Sequence, residues 1–358
     1  MSTPITFRSK ILECTLRDGS YAINFEFTAG DTAAIAGALD RIGFPLIEVG
    51  HGIGLGASKA GMGRALETDA AYMKAAADSV TNGLWGMFCI PGIAKLDHLD
   101  EAADYGMGFV RVGTNVSEVS ESEPFIQRAK TRGMFVCANF MKSYVSTPKE
   151  FAAVAERSHQ MGTDVVYIVD SAGGMLPEEI VHYAEAVREI YDVALGFHGH
   201  NNLGMGVANA LTAVDLGINI VDTSLQGFGR SAGNTATELL LAVLMSKGFD
   251  TGLDLIEVLD AGEKFVKPLI SSVGLNSLDV VSGLSRFHSS YMKTIHLSAD
   301  RYQVDPRLLI MAVCSENQID APKSLVEATA KKLAGTIKEP IISRFHFNRY
   351  HGSEQGPK

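Results

Sequence analysis

Eight short apolar runs, each followed by a stretch with helical spacing, limit most strongly what this chain can fold into. The runs are continuously apolar rather than alternating with polar residues, which is typical of parallel strands covered on both faces. They are Lys10–Thr15, Pro45–Gly50, Leu84–Ile90, Phe109–Gly113, Phe135–Phe140, Asp164–Val169, Ala194–His198 and Asn219–Ser224. Eight strand-then-helix units predict an α/β fold, the (β/α)8 TIM barrel.

The alternative α/β fold is an open, doubly wound sheet. Such a sheet would be expected to have a glycine-rich phosphate loop directly after its first strand. Here the first strand runs into Leu16-Arg17-Asp18-Gly19, which is not such a loop. The sequence therefore favours the closed barrel.

Beyond residue 250 the strand signals stop and helical segments follow. These predicted helices are Leu253–Val266, Ser289–Tyr302, Pro306–Ser315 and Lys323–Leu333, with a connection over Pro268–Leu278. We predict a barrel domain over residues 1–265, a small helical C-terminal domain over residues 266–345, and a frayed tail over residues 346–358.

Composition excludes several classes of function. The formal net charge is −10, which argues against nucleic acid or an anionic membrane as the main partner. No apolar run approaches the roughly 20 residues that span a bilayer, and the first residues lack the pattern of a secretory signal. The four cysteines are far apart and form no Cys-x-x-Cys pair, which favours the reducing cytoplasm.

Polar residues collect at the C-terminal ends of the predicted strands, where barrel enzymes build their active sites. They include Arg17, Asp18, Glu48, His51, Arg111, Asp170, Ser171, His198, His200, Asn201, Asn202, Asp222 and Ser224. This arrangement on otherwise apolar strands predicts an enzyme.

The sharpest local signal is His198-Gly199-His200. Alternate residues of a strand face the same way, so both imidazoles can face the barrel mouth. Together with Asp18 on the neighbouring strand end, they suit a divalent transition metal; simple hydrogen bonding within the mouth is the alternative. Arg17 could stabilise an enolate or a carboxylate, or could instead form a salt bridge that closes the mouth.

Two glycine-rich loops, Gly50–Gly56 and Gly227–Asn234, follow the second and eighth strands. The first could close over a substrate. The second could hold an anionic group through its backbone N–H donors, or could simply be a tight turn. Neither loop alone decides a function.

Several of these segments resemble the DRE-TIM metallolyase superfamily: Thr15-Leu16-Arg17-Asp18-Gly19, His198-Gly199-His200-Asn201-Asn202-Leu203 and the Gly229–Asn234 loop. Within it the chain is most similar to the 4-hydroxy-2-oxovalerate aldolases, class II pyruvate aldolases, over nearly its whole length. The resemblance implies Mn²⁺, or another divalent cation such as Co²⁺ or Mg²⁺, held by Asp18, His198 and His200. It also implies Ser171 near the pyruvate carboxylate and Arg17 beside the enolate. We expect His51 on the aldehyde side.

Two positions depart from the aldolase pattern. This chain has Tyr21 where the aldolases have a catalytic histidine, and His288 where they have an active-site tyrosine. Because a histidine of near-neutral pKa is the better base for a substrate hydroxyl, our hypothesis assigns the acid/base role to His288. Tyr21 would then orient the acceptor.

These observations predict a cytoplasmic, metal-dependent carbon–carbon lyase that cleaves or forms a 4-hydroxy-2-oxo acid from pyruvate and an aldehyde. A Claisen-type enzyme that joins an acyl-CoA to a 2-oxo acid is one alternative, and a catalytically silent, metal-binding partner subunit is another. The resemblance implies a homo-oligomer. It leaves open an acylating aldehyde dehydrogenase partner, because Cys314–Pro322 departs from the aldolase pattern.

Overall fold

A computed structural model describes residues 5–270 and 276–334 of the chain. Its centre is a closed, all-parallel, eight-stranded barrel in which each strand pairs with the next and the last pairs with the first. The strands are β2 Lys10–Glu13, β3 Leu46–Glu48, β4 Leu84–Cys89, β5 Phe109–Asn115, β6 Phe135–Met141, β7 Val165–Asp170, β8 Ala194–Gly199 and β9 Ile220–Thr223. The predicted barrel is thus confirmed, with strand ends moved by at most two residues.

One helix follows each barrel strand. The eight helices are α1 Ala29–Ile42, α2 Asp69–Ser79, α3 Leu96–Asp104, α4 Glu123–Thr131, α5 Pro148–Gln160, α6 Pro177–Ile190, α7 Gly206–Asp215 and α8 Thr237–Ser246. Local sequence explains where they begin. At α5, for example, the Thr147 side chain accepts from the Glu150 N–H, Glu150 reaches back to the Thr147 N–H, and Pro148 occupies the first turn.

The strands are buried on both faces, as their apolar runs predict. In β7 every residue from Val165 to Asp170 is buried. One hydrophobic cluster, which includes Leu12, Phe109 and Tyr167, involves residues of the strands alone. Two larger clusters join strands to the surrounding helices. This packing leaves the loops at the C-terminal ends of the strands to form the mouth.

Among the described residues, the remaining strands and α-helices are one short strand pair and five helices. The strand pair is β1 Ile5–Thr6 with β10 Phe249–Asp250, and the helices are α9 Leu255–Ala261, α10 Ser277–Ser285, α11 Met292–Tyr302, α12 Pro306–Glu316 and α13 Lys323–Leu333. A π-turn over Gly262–Val266 extends α9. Helices α10 to α13 share a separate hydrophobic cluster with Phe287, which agrees with a helical C-terminal region.

The segmentation at residues 265 and 345 stays a prediction, and the predicted tail over residues 346–358 lies outside the described residues. Helix α10 was not predicted. Its sequence contains serine and glycine, which are weak helix formers, but the Asn276 side chain accepts from the Leu278 N–H and caps it. No helix among residues 5–270 and 276–334 has the length and apolar character needed to cross a membrane. All four cysteines are buried free thiols.

Candidate metal centre and active site

Three predicted metal ligands meet at the mouth of the barrel. Asp18 begins the 3₁₀ turn after β2, His198 lies near the end of β8, and His200 follows that strand. One ligand atom from each residue lies within 4.8 Å of the others, and all three residues are buried. The expectation that Asp18 lies on the neighbouring strand is wrong, because β9 lies between β2 and β8 in the closed barrel.

Hydrogen bonds orient both imidazoles. Nδ1 of His198 lies 2.8 Å from Oδ2 of Asp222, and Nδ1 of His200 lies 3.3 Å from the carbonyl oxygen of Gly233. Because these acceptors require a proton on Nδ1, the lone pair of each ring is on Nε2. Nε2 of His198 faces Oδ2 of Asp18 at 3.8 Å. This is the arrangement in which a carboxylate or carbonyl fixes a metal-binding histidine.

The charge state of the site also suits a divalent cation. Burial opposes ionisation of Asp18, but Arg17 and the two histidines hold its pKa below the ordinary value. Burial and Arg230 keep the pKa of His200 well below its ordinary value, so the ring is neutral. Oδ1 of Asp18 is buried and has no hydrogen-bond partner among the described residues. An ionised carboxylate with one oxygen free of hydrogen bonds, and a neutral imidazole at His200, are what a metal ion requires.

Arg17 is held on two sides. Its Nη1 donates to Oδ2 of Asp18, and its Nε donates to Oε2 of Glu48 at 2.8 Å. The guanidinium carbon lies 4.9 Å from the centre of the Phe88 ring. Burial disfavours the charged form, but the two carboxylates outweigh it and raise the pKa of Arg17. The expected salt bridge and the expected position beside the metal ligands therefore coexist.

A cavity opens above this cluster. Its walls comprise Arg17, Asp18, Tyr21, Gly52, Ile53, Met62, Phe88, Ile90, Ile93, Asn115, Asn139, Met141, Lys142, Val169, Ser171, His198, Arg230, His288, Ser290 and Tyr291. The side nearest β3 and β4 is mainly apolar, whereas the side nearest β6 and the C-terminal helices is polar and cationic. The structure thus brings together Arg17, Tyr21, Ser171, His198 and His288, all predicted site residues.

Ser171 lies on the cavity wall with its hydroxyl oxygen accepting from the backbone N–H of Lys142 at 3.0 Å. The hydroxyl hydrogen can therefore be donated to a bound oxygen. Lys142 itself has a left-handed backbone (φ 57°, ψ 44°), which costs a non-glycine residue energy. Its ammonium donates to the Tyr291 hydroxyl and the Ile319 carbonyl, both at 3.0 Å, and so joins the barrel to the C-terminal helices.

Tyr21 and His288 lie on the same cavity. Arg230 lies between them, with its guanidinium carbon 5.7 Å from the Tyr21 ring centre and its Nη1 3.2 Å from Nε2 of His288. Nδ1 of His288 lies 2.7 Å from the Ser290 hydroxyl oxygen. Burial, Arg230 and Lys142 lower the pKa of His288 well below its ordinary value. The near-neutral pKa that we expected for this histidine is therefore wrong, because cations and the protein interior surround it.

His51 is placed differently from our expectation. It does not line the cavity. Its Nε2 lies 3.1 Å from the carbonyl oxygen of Gly63, its Nδ1 accepts from the Ile53 N–H at 3.1 Å, and its ring stacks on Phe25. Both nitrogens thus bind loop backbone, so the structure assigns His51 to shaping the loop and gives no support to direct substrate contact.

Some cavity residues had no predicted role. Asn139 and Lys142 come from the end of β6, and Tyr291 comes from the 3₁₀ turn before α11. The fifth barrel strand continues one residue beyond its predicted end at Phe140, which places Lys142 directly after the strand. Tyr291 reaches the mouth only through tertiary packing, for which the sequence has no local signal.

Comparisons with known proteins agree with this geometry. Residues 8–265 match the family model described as HMGL-like. This chain belongs to the HMGL-like family. That membership confirms the resemblance to the DRE-TIM metallolyases. The matched residues include all eight barrel strands and every predicted metal ligand.

Two curated relatives of this HMGL-like protein are informative. The 4-hydroxy-2-oxovalerate aldolase 4 of Rhodococcus opacus (strain B4) is 37% identical over 345 residues, covering 96% of this chain and 99% of the relative. The oxaloacetate decarboxylase of Mycobacterium tuberculosis (strain ATCC 25618 / H37Rv) is 42% identical over 251 residues, covering 70% of this chain and 74% of the relative.

A solved structure supports the fold. The HMG-CoA lyase from Brucella melitensis superposes with a TM-score of 0.63 at 21% identity, covering 74% of this chain and 99% of that chain. At this identity the likeness establishes the barrel architecture alone.

Proposed function

We propose that this protein is a divalent-metal-dependent carbon–carbon lyase that cleaves or forms a 4-hydroxy-2-oxo acid, with pyruvate and an aldehyde as the two halves. The main support is the buried Asp18, His198 and His200 cluster with Arg17 beside it at the floor of a cavity. The aldolase named above, similar over nearly its whole length, supports the same reaction class.

The proposed metal ligands are Asp18 and Nε2 of both histidines, and we favour Mn²⁺ among divalent cations. When bound, the cation would act as a Lewis acid that polarises the 2-oxo group of the substrate. The chain supplies the rest of the charge stabilisation. Arg17 is held rigid by Glu48 and Asp18, so it can face negative charge developing on the enolate oxygen without reorganisation.

Ser171 and His288 define the remaining proposed roles. The Ser171 hydroxyl can donate to the substrate carboxylate. His288 would take the proton of the C4 hydroxyl as the C3–C4 bond breaks and the electron pair moves into the enolate. The aldehyde then leaves, C3 takes a proton from the water that replaces it, and His288 returns its proton to solvent, which yields pyruvate. The half-buried Tyr21, which lines the cavity, would orient the aldehyde oxygen.

Deuterium exchange of the pyruvate methyl group in D₂O tests this proposal. We expect exchange with added Mn²⁺ and none with a chelator. Asp18→Asn should abolish exchange, while Asp78→Asn, an exposed carboxylate on α2, is the matched control. Absence of exchange in the metal-loaded wild-type protein would contradict the pyruvate-enolate reaction. Thiol release from acyl-CoA would then test the Claisen-type alternative, and failure of both assays would favour the silent barrel.

Decarboxylation of oxaloacetate is a second candidate. The M. tuberculosis relative named for it is 42% identical over 251 residues, and the reaction passes through the same pyruvate enolate. It requires no base for a hydroxyl, which fits a site in which the pKa of the candidate base His288 is strongly lowered. Because methyl exchange cannot separate the two reactions, kcat/KM must be compared for oxaloacetate and 4-hydroxy-2-oxopentanoate.

The finer properties are proposals as well. We propose a cytoplasmic location on the strength of four free thiols, and a homo-oligomer by analogy with the aldolases.

A further inference from the structure

Arg111 is a charged residue that the proposed chemistry does not use. It lies on β5, is 0% exposed, and is not part of the cavity wall. Burying an arginine in a barrel interior costs free energy unless anions and acceptors surround it. Arg111 has such partners, and through them it holds other polar side chains in place.

The guanidinium contacts three side chains on three other strands. Nη1 donates to Oε2 of Glu48 at 3.0 Å, and Nη2 donates to Oδ1 of Asn139 at 2.7 Å. Nη2 also forms an ion pair with Oδ2 of Asp222 at 2.7 Å. The guanidinium carbon lies 4.6 Å from the centre of the Tyr167 ring and 5.7 Å from that of Phe88. These contacts fix the plane of the guanidinium.

Two of the contacts lead directly to the active site. The Glu48 oxygen that accepts from Arg111 also accepts from Nε of Arg17. The Asp222 oxygen that pairs with Arg111 also fixes Nδ1 of His198. The second oxygens of Glu48 and Asp222 have no hydrogen-bond partner among the described residues. Each carboxylate is therefore oriented through one oxygen, and that oxygen is shared between Arg111 and a site residue.

The third contact orients Asn139. Because Oδ1 of Asn139 accepts from Arg111, its amide NH₂ points away from Arg111, and this side chain lies on the cavity wall. One buried guanidinium thus fixes the orientation of three groups. They are Arg17 through Glu48, the proposed metal ligand His198 through Asp222, and the Asn139 amide on the cavity wall. A lysine ammonium is a point charge on a flexible stem and cannot match this flat, multiply bonded geometry.

We propose that Arg111 is a positioning residue that orients Arg17 through Glu48 and fixes the His198 tautomer through Asp222. This inference rests on the proposed function for its effect on turnover. Its effect on metal binding depends only on the His198, Asp222 and Arg111 contacts. The two effects can therefore be measured separately.

The test is Arg111→Lys, which keeps the buried charge, compared with Arg301→Lys on the exposed surface of α11. Mn²⁺ affinity is measured by electron paramagnetic resonance of the free ion, and folding by thermal unfolding. We expect about tenfold weaker Mn²⁺ binding in the fully folded variant, since lost outer-shell contacts typically cost 10- to 100-fold. We also expect kcat for pyruvate methyl exchange to fall at saturating Mn²⁺. Unchanged affinity in the folded variant would overturn the proposal.

If Arg111→Lys does not fold, the double variant Glu48→Gln with Arg111→Met removes one positive and one negative charge together and leaves less uncompensated charge in the barrel. The same loss of Mn²⁺ affinity is expected, and wild-type affinity would overturn the proposal. If wild-type protein binds Mn²⁺ but does not exchange pyruvate protons, the proposed function fails while the affinity comparison still decides the role of Arg111. Wild-type protein that binds no Mn²⁺ would overturn both.

Discussion

Nη2 of Arg230 lies 3.1 Å from Nε2 of His200, the nitrogen whose lone pair is directed toward the proposed metal position. Nδ1 of the same ring faces the Gly233 carbonyl, so Arg230 and a metal ion compete for one lone pair. The positive charge of Arg230 also repels a metal cation, which weakens metal binding further.

Arg230→Met should therefore bind Mn²⁺ more tightly, by about tenfold or about 1.4 kcal/mol. Isothermal titration of Mn²⁺ is the measurement, because Arg230 lines the cavity and turnover would mix several effects. Arg301→Met on the surface of α11 is the matched control and should leave the affinity unchanged. Weaker binding by Arg230→Met would show that Arg230 supports the metal site rather than competing with it.

Tyr21 and His288, which stand where the aldolases have a histidine and a tyrosine, lead to a second prediction. His288→Ala should abolish aldol cleavage, whereas Tyr21→Phe should only slow it, by about tenfold, through loss of one orienting hydroxyl. Both variants should still exchange the pyruvate methyl protons, because water rather than either side chain exchanges protons with C3 of pyruvate. Steady-state cleavage of 4-hydroxy-2-oxopentanoate and the exchange assay together check this.

The reverse ranking, with Tyr21→Phe inactive and His288→Ala active, would contradict the assignment of the base. A low pKa makes His288 a weak base, so a modest rate for the wild-type aldolase reaction is expected. Strong oxaloacetate decarboxylation by His288→Ala would instead favour the second candidate function.

The barrel and the residues of its candidate metal site could be predicted from the sequence because the signals are local. Continuous apolar runs mark each strand, and His198-Gly199-His200 needs only the two-residue repeat of a strand to face one way. Asp18 follows from barrel closure, which places the ends of the first and seventh strands near each other. These inferences use periodicity and topology alone.

The polar interior and the domain contacts could not be predicted in the same way. Glu48, Arg111 and Asp222 are visible in the sequence as strand residues, but their ion pairs depend on strand stagger around the barrel. The low pKa of His288 depends on cations that come from distant parts of the chain. The two backbone hydrogen bonds of His51 depend on a loop conformation that its glycines permit but do not specify.

His51 leads to a prediction about pH. Burial lowers its pKa from 6.5 to about 4, so the unfolded or opened loop binds a proton more readily than the closed loop does. The contribution of neutral His51 to the stability of the closed loop is therefore complete above about pH 6.5 and is lost as the pH falls toward 4. We expect amide hydrogen exchange in the loop of residues 50–63 to speed up, relative to the α5 amides, across this range.

His51→Gln should remove this pH dependence, because a glutamine amide does not titrate in that range. His182→Gln, at an exposed position on α6, is the matched control and should behave like the wild-type protein. A loop whose relative protection is unchanged between pH 6.5 and 4 in the wild-type protein would show that the His51 contacts do not hold it.

The close approach of Gly174 and Gly283 leads to the last prediction. A methyl group added at Gly174, in the loop after β7, would collide with the carbonyl oxygen of Gly283 in α10, and backbone cannot move aside as a flexible side chain can. Gly174→Ala should therefore cost about 1–3 kcal/mol of stability and displace the C-terminal helices with His288.

We expect aldol cleavage by Gly174→Ala to fall more than pyruvate methyl exchange. The control is Gly30→Ala in α1, where the added methyl group would make only an ordinary contact. It should leave both rates and the melting temperature nearly unchanged. Equal losses of both rates in a folded Gly174→Ala variant would show that the C-terminal helices act on the pyruvate half as much as on the aldehyde half.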